Sequence, residues 1–166
     1  MGRIFGDGTT DYEKYVRANE LYRLIKDEKQ WANEDECLFQ VTHMSMELWL
    51  VVVAQHLDQT TAWLKEEKLS AASRMLTRAG SIVEMLLGSL RHLEGMSPWN
   101  YHAIRVTLGK GSGQQSPTFT HLLTAGKPVW DAYAALLKKR GVTVDQIQQD
   151  PKGHDELYQL MAAMLV

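Results

Sequence analysis

His43 and Glu47 stand four residues apart within an apolar stretch that includes Leu38, Phe39, Val41, Met44, Met46, Leu48, Trp49, Leu50 and Val51 to Val53. On a helix this spacing puts both polar groups on one face, with Phe39 one turn earlier on the same side. Burying each group costs about 1–3 kcal/mol unless it finds a partner. Two arrangements meet that cost. Either His43 and Glu47 satisfy one another or nearby backbone, or the imidazole faces a cavity as acid, base or ligand with Phe39 in the wall. A purely metal-binding reading has less support, because the Glu-x-x-His pairs of di-iron bundles are absent. The six histidines (His43, His56, His92, His102, His121 and His154) also show no ligand spacing.

A second candidate lies near the middle of the chain. Tyr101 and Arg105 are one helical turn apart, and an arginine beside an aromatic ring at the rim of an apolar pocket can clamp a carboxylate with two parallel N–H groups. Equally, such an arginine can lie along the tyrosine ring at the surface. The segment Gly109-Lys110-Gly111-Ser112-Gly113 follows directly. It lacks the strand and the terminal lysine of a phosphate-binding loop, but it can bring backbone close to a flat ligand while Ser112 donates a hydrogen bond.

The elements that must position these groups are helical. Residues 1–10 read as a mobile arm, and a first helix is expected from Asp11 to about Lys29. Asn33, followed by Glu34, Asp35 and Glu36, caps a long helix to about Glu66, whose apolar circumference predicts a central, buried position. Ser70 is expected to cap the next helix, which closes near Gly95 and pairs with the long one as an antiparallel hairpin. Ser97-Pro98 opens a helix to about Leu108. After a flexible glycine segment come short helices at 118–124, 128–139, 143–149 and from Gly153 to the end. The fold class is therefore all-α, a helical bundle in a single domain over 11–166. The final helix carries no terminal Gly, Asn or basic residue and reads as one cut short.

Composition narrows the function. The chain has 166 residues, net charge −2 and one Cys, so it is long enough for a core, cannot form an internal disulfide, and is expected in the cytoplasm. No basic stripe suggests nucleic acid as a partner. Uninterrupted apolar runs such as Leu48 to Ala54 fall far below the roughly 20 residues of a membrane span, and the polar N-terminus lacks the apolar centre of a signal peptide.

Three blocks carry a family resemblance. Cys37-Leu38-Phe39-Gln40-Val41-Thr42-His43-Met44-Ser45-Met46-Glu47-Leu48-Trp49-Leu50 resembles the Phe-x-x-x-His-Gln-x-x-Glu-Leu-Trp helix of the tryptophan 2,3-dioxygenase family. The run from Tyr101 through Arg105, Leu108, Gly109, Ser112 and Gly113 to Gln115-Ser116 is similar to that family's Tyr-x-x-Phe-Arg-x-x-Leu-Gly-x-x-Ser-Gly-Phe-Gln-Ser segment. Tyr12-Glu13-Lys14-Tyr15-Val16 resembles its Tyr-x-x-Tyr-Leu element, and the three blocks occur in the family's order.

The resemblance implies a helical oxygenase that uses haem b and O2 on an aromatic amino acid, tryptophan or a modified tryptophan, to give an N-formylkynurenine-type product. A hydroxylase of another aromatic amino acid and a non-catalytic module binding haem or an aromatic ligand are the alternatives. By the same resemblance, His43 lies on the distal side of the haem against the substrate nitrogen, and Phe39 walls the pocket. Arg105 binds the substrate carboxylate with Tyr101, while Leu108, Ser112 and Gly113 lie over or beside the haem. Tyr12, Tyr15 and Val16 reach a neighbouring subunit's site in a homotetramer. The family's axial histidine sits in a Trp-Arg-x-x-His setting that neither His121 nor His154 has, and it is expected beyond Val166; the chain reads as the N-terminal part of a longer domain. Met44, Met46, Val51 and Gln114 replace the family's residues, which leaves the aromatic substrate open.

Overall fold

The computed structural model describes residues 6–165, and among them there are helices and no strand. Thr10 and Glu13 form a reciprocal cap that starts α1 (Asp11–Val16). Arg17 then takes a left-handed backbone, φ 55°, which cannot continue a right-handed helix, and α2 (Ala18–Leu24) begins afresh. The single helix expected from Asp11 to Lys29 is thus broken. Residues 1–5 of the expected arm lie outside the described residues. Those that follow are tied down: the Gly6 N–H donates to Asn19 Oδ1 at 3.1 Å, Asn19 Nδ2 donates to the Gly6 carbonyl at 2.9 Å, and the Gly8 N–H donates to Glu13 Oε1.

Next come α3 (Glu36–Lys65), α4 (Leu69–Leu90), α5 (Pro98–Leu108), α6 (Pro117–Arg140), α7 (Val144–Gln149) and α8 (Asp155–Ala163). Ser97 caps α5 with Pro98 in its first turn, as their residue types predict, whereas Asn33, expected to cap α3, accepts from the Asp35 N–H in a turn that precedes Glu36, the first residue of the helix. Ser70 does not cap α4. Lys68 precedes that helix without a side-chain cap, and the Ser70 hydroxyl accepts from Arg74 instead. Nor does Pro128 divide the segment after the glycine loop: α6 runs through it, because Ala125, Val129, Ala132 and Tyr133 on either side are buried and outweigh one missing backbone bond. The last helix stops at Ala163, with Met164 donating back to Leu160 and Met161.

The contacts divide the chain into two compact units, one of residues up to Met44 together with His92–Lys110, the other of Ser45–Arg91 with Gly111–Val166. The second holds a close-packed apolar core built from Leu64, Leu76, Val129, Tyr133, Ile147, Leu160 and their neighbours. The expectation of a wholly buried α3 is corrected. Thr42, Val53, Thr60 and Leu64 are buried, but Leu38, Val41, Leu48, Trp49 and Val51 are exposed. An apolar circumference marks what a helix can bury; which faces are covered depends on the neighbours present. By length and mean hydropathy, 1.5 over 18 residues, α3 also passes the test for a membrane span, as core helices of soluble proteins do. Its scattered Thr, His and Ser hid this from a count of uninterrupted apolar residues.

Candidate functional site

Within the first unit, α3 and α5 bring three of the sequence candidates together. Phe39 and His43, one turn apart on α3, have ring centroids 4.2 Å apart, and Tyr101 on α5 stands 6.4 Å from Phe39. Phe39 and Tyr101, with Leu93, Met96 and Pro98, line a groove of about 360 Å³. Leu93 and Met96 carry no chemical signature, and the sequence marks Pro98 only as the opening of α5; their contribution is shape.

His43 does not pair with Glu47. Its Nδ1 lies 2.8 Å from the Phe39 carbonyl oxygen, which can only accept, so Nδ1 carries the proton of the neutral ring and Nε2 is left as an acceptor. Glu47 instead accepts a hydrogen bond from Ser116, within the second unit. Arg105 follows Tyr101 by one turn, and its Nη1 donates to the Gly109 carbonyl just past the end of α5. Gly109 has φ 62° and ψ −122°, a backbone region that side chains disfavour, so this turn requires glycine. Leu108 is exposed at the end of α5.

The first unit is braced by polar contacts. Asn100, on α5 beside Tyr101, donates through Nδ2 to Asp35 at 2.8 Å and to Glu34 at 3.2 Å, while its carbonyl accepts from Asn33 Nδ2 at 2.9 Å. Lys26 pairs with Glu36, the first residue of α3, and the Trp31 indole N–H donates to the Lys26 carbonyl. Burial of Glu36 would raise its pKa, but the Lys26 ammonium and the Ala32 N–H together outweigh it and hold the carboxyl below its ordinary value. The sequence offers Asn33 only as a helix cap and gives no sign of the bonds from Asn33, Glu34 and Asp35 to Asn100, because pairing between residues more than sixty apart has no local signature.

The remaining candidates stand elsewhere. Tyr12 and Tyr15 on α1 are 72% and 90% exposed, and Val16 is half-buried. Ser112 and Gly113 belong to the second unit, where the glycine segment expected to be flexible forms a short 3₁₀ turn, Gly113–Gln115: the Ser112 hydroxyl accepts from the Gln114 N–H, and Gln115 Oε1 accepts from the Ser112 N–H at 3.0 Å. Among the described residues, no three or more His, Cys, Asp or Glu side chains cluster to hold a bare metal ion.

Comparison with known proteins places the chain in a family. The family model for tryptophan 2,3-dioxygenase matches residues 3–125, most of the chain. The chain belongs to the tryptophan 2,3-dioxygenase family. A tryptophan 2,3-dioxygenase of Pseudomonas aeruginosa (strain UCBPP-PA14) is 30% identical over 137 residues, covering 79% of this chain and 46% of the relative. One from Xanthomonas oryzae pv. oryzae (strain PXO99A) is 26% identical over 158 residues, 95% of this chain and 50% of the relative. One from Xanthomonas campestris pv. campestris (strain B100) is 28% identical over 116 residues, covering 70% and 39% respectively. The chain therefore spans about half the length of these tryptophan 2,3-dioxygenases. Phe39, His43, Tyr101 and Arg105 all fall inside the matched family segment, as do Ser112 and Gly113.

Proposed function

We propose that this chain forms the distal, substrate-facing wall of a haem-dependent oxygenase acting on an aromatic amino acid, tryptophan or a modified tryptophan, with cleavage of the indole 2,3 bond. One observation carries this reading: an imidazole whose Nδ1 is engaged by the Phe39 carbonyl, leaving Nε2 as an acceptor among aromatic side chains, in a chain of the tryptophan 2,3-dioxygenase family. The residues fit one wall for a flat macrocycle, with ring faces, a single imidazole acceptor and one guanidinium. Haem b would supply O2 activation at this wall.

The chain's own groups then have separate tasks. His43 Nε2 accepts the hydrogen bond of a substrate ring N–H and can take its proton. Phe39 and Tyr101 exclude water and orient the ring in the groove. Arg105 turns its guanidinium from the Gly109 carbonyl to the substrate carboxylate. By the family match, Leu108, Ser112 and Gly113 are residues that would hold the cofactor. Tyr12, Tyr15 and Val16 reach a neighbouring subunit of a cytoplasmic homotetramer, a role supported by the exposed tyrosine rings.

Added hemin tests the reading directly. The protein is expected to give a Soret band that shifts with CO after reduction and to bind L-tryptophan. His43→Ala should leave hemin content intact while lowering turnover roughly 10²–10⁴-fold. Arg105→Lys should weaken tryptophan binding at least roughly tenfold, since an ammonium cannot reproduce a planar fork. Failure to take up hemin refutes the oxygenase reading for this chain.

A further inference from the structure

Glu47 belongs to the motif helix, yet neither His43 nor the groove uses it; its partner is Ser116 Oγ, which donates to Glu47 Oε2 at 2.8 Å across 69 residues of sequence. Ser116 is the junction between the 3₁₀ turn Gly113–Gln115 and α6. Its N–H donates to the Gly113 carbonyl at 3.1 Å, its hydroxyl oxygen accepts from the Phe119 N–H at 3.0 Å, and its carbonyl accepts from the Thr120 N–H at 3.0 Å and from Thr120 Oγ1 at 2.9 Å. One hydroxyl thus caps α6 and grips a carboxylate on α3 at once. The turn itself is braced locally by Ser112 and Gln115, which set its shape but do not fasten it to another helix.

We propose that Glu47 is a positioning residue: through Ser116 it anchors the glycine turn carrying Ser112 and Gly113 to α3, so that this turn is held ready for a flat cofactor. The cofactor clause rests on the function proposed above; the anchoring does not. A hydrogen bond to an ionised carboxylate is among the stronger ones available to a serine, whereas the turn's other ties, Ser112, Gln115 and the Thr120 hydroxyl that donates to the Gln114 carbonyl at 3.4 Å, reach no further than α6.

Amide hydrogen exchange on the 166-residue protein separates anchoring from capping. Ser116→Asp keeps an N-cap acceptor for Phe119 but removes the donor and sets a like charge beside Glu47; Glu47→Ala removes the acceptor; Ser116→Thr keeps the hydroxyl. The Gln115 and Ser116 amides are expected to exchange roughly ten- to a hundredfold faster in Glu47→Ala and Ser116→Asp. Ser116→Thr should match the parent, and Phe119 should stay protected in Ser116→Asp. Unchanged exchange at Gln115 and Ser116 overturns the anchor, and so does acceleration spread equally to Ala72 and Leu160, which would make Glu47 a general support of the fold. Hemin titration, read at the Soret band, tests the purpose. Glu47→Ala should weaken hemin binding at least roughly tenfold while Ser116→Thr does not. Hemin bound identically by the parent and Glu47→Ala overturns the positioning role. A parent protein that takes up no hemin removes the cofactor clause and leaves the anchor to be decided by exchange.

Discussion

In the unit that contains Tyr133, buried apolar side chains from α3, α4, α6, α7 and α8 pack into one cluster. In the unit that contains His43, Ala18, Ile104, Glu36 and Thr42 are buried, and Glu36 holds its place through directional polar contacts with Lys26 and the Ala32 N–H. The first arrangement is insensitive to small angular changes but intolerant of lost volume. The second is the reverse, since a hydrogen bond fails with angle and costs little volume. The candidate substrate groove lies in the unit set by hydrogen bonds, where ring positions can be tuned by single polar side chains without a core being rebuilt.

The largest effect should come from removing volume in the packed unit. Leu160 on α8 is fully buried in the cluster, and Leu160→Ala is expected to cost about 2–5 kcal/mol, the range for a leucine whose cavity does not collapse. Urea unfolding followed by circular dichroism measures it. A cost under about 1 kcal/mol would show that close packing does not govern this unit.

Next in size is the buried carboxylate that opens α3. Glu36→Gln is expected to cost about 2 kcal/mol, because it removes the charge that Lys26 and the Ala32 N–H stabilise. The pH dependence has a definite sign. The folded pKa of Glu36 lies below the unfolded value, so its contribution is complete above an ordinary carboxyl pKa of about 4.3 and is lost as pH falls from there through the folded pKa. Trp31 bonds to the Lys26 carbonyl and reports on the pair. Its fluorescence in an acid titration should change in the parent and much less in Glu36→Gln, and superimposable titrations would remove Glu36 from the explanation.

Tyr133 brings the packed unit's rule to a polar atom. The ring is fully buried and its hydroxyl donates to the Leu157 carbonyl at 2.9 Å, while burial raises its pKa. Tyr133→Phe keeps the volume and removes that hydrogen bond while the Leu157 carbonyl keeps its place in the α8 ladder, so about 1 kcal/mol should be lost in urea unfolding, less than for Leu160→Ala. A larger loss from Tyr133→Phe than from Leu160→Ala would reverse the distinction between the units.

What sequence revealed follows the same division. Periodicity and caps are local, so the spans of α3, α5 and α7 were legible, as was the placement of Phe39 with His43 on one face. The αL break at Arg17 was not, because arginine gives no warning of a positive φ that its surroundings impose. Pro128 misled because its cost to a helix is weighed against burial of Val129, Ala132 and Tyr133, which depends on distant residues. Glu47 was recognised as a polar group in need of a partner, but the choice of Ser116 over His43 is a long-range contact. Family resemblance supplied the grouping of His43 with Tyr101, which spacing alone could not.

The smallest effect on stability should have the largest bearing on the groove. Asn100→Ala removes the amide donated to Asp35 and Glu34 but leaves the Asn33 bond to the Asn100 carbonyl, so the expected cost is about 1 kcal/mol or less. Tyr101 is the next residue along the helix, and α5 loses two of the bonds that set its rotation against the start of α3. The Tyr101 and Phe39 ring resonances should therefore shift and broaden in NMR spectra, while methyl signals of Leu157 and Leu160 stay in place. If the ring signals are unmoved, packing in the groove rather than the Asn100 bracket orients Tyr101, and the two units differ less than their contacts imply. If instead the methyls of the packed core shift with the rings, the polar bracket is not local, and tuning the groove without disturbing the core is beyond this fold.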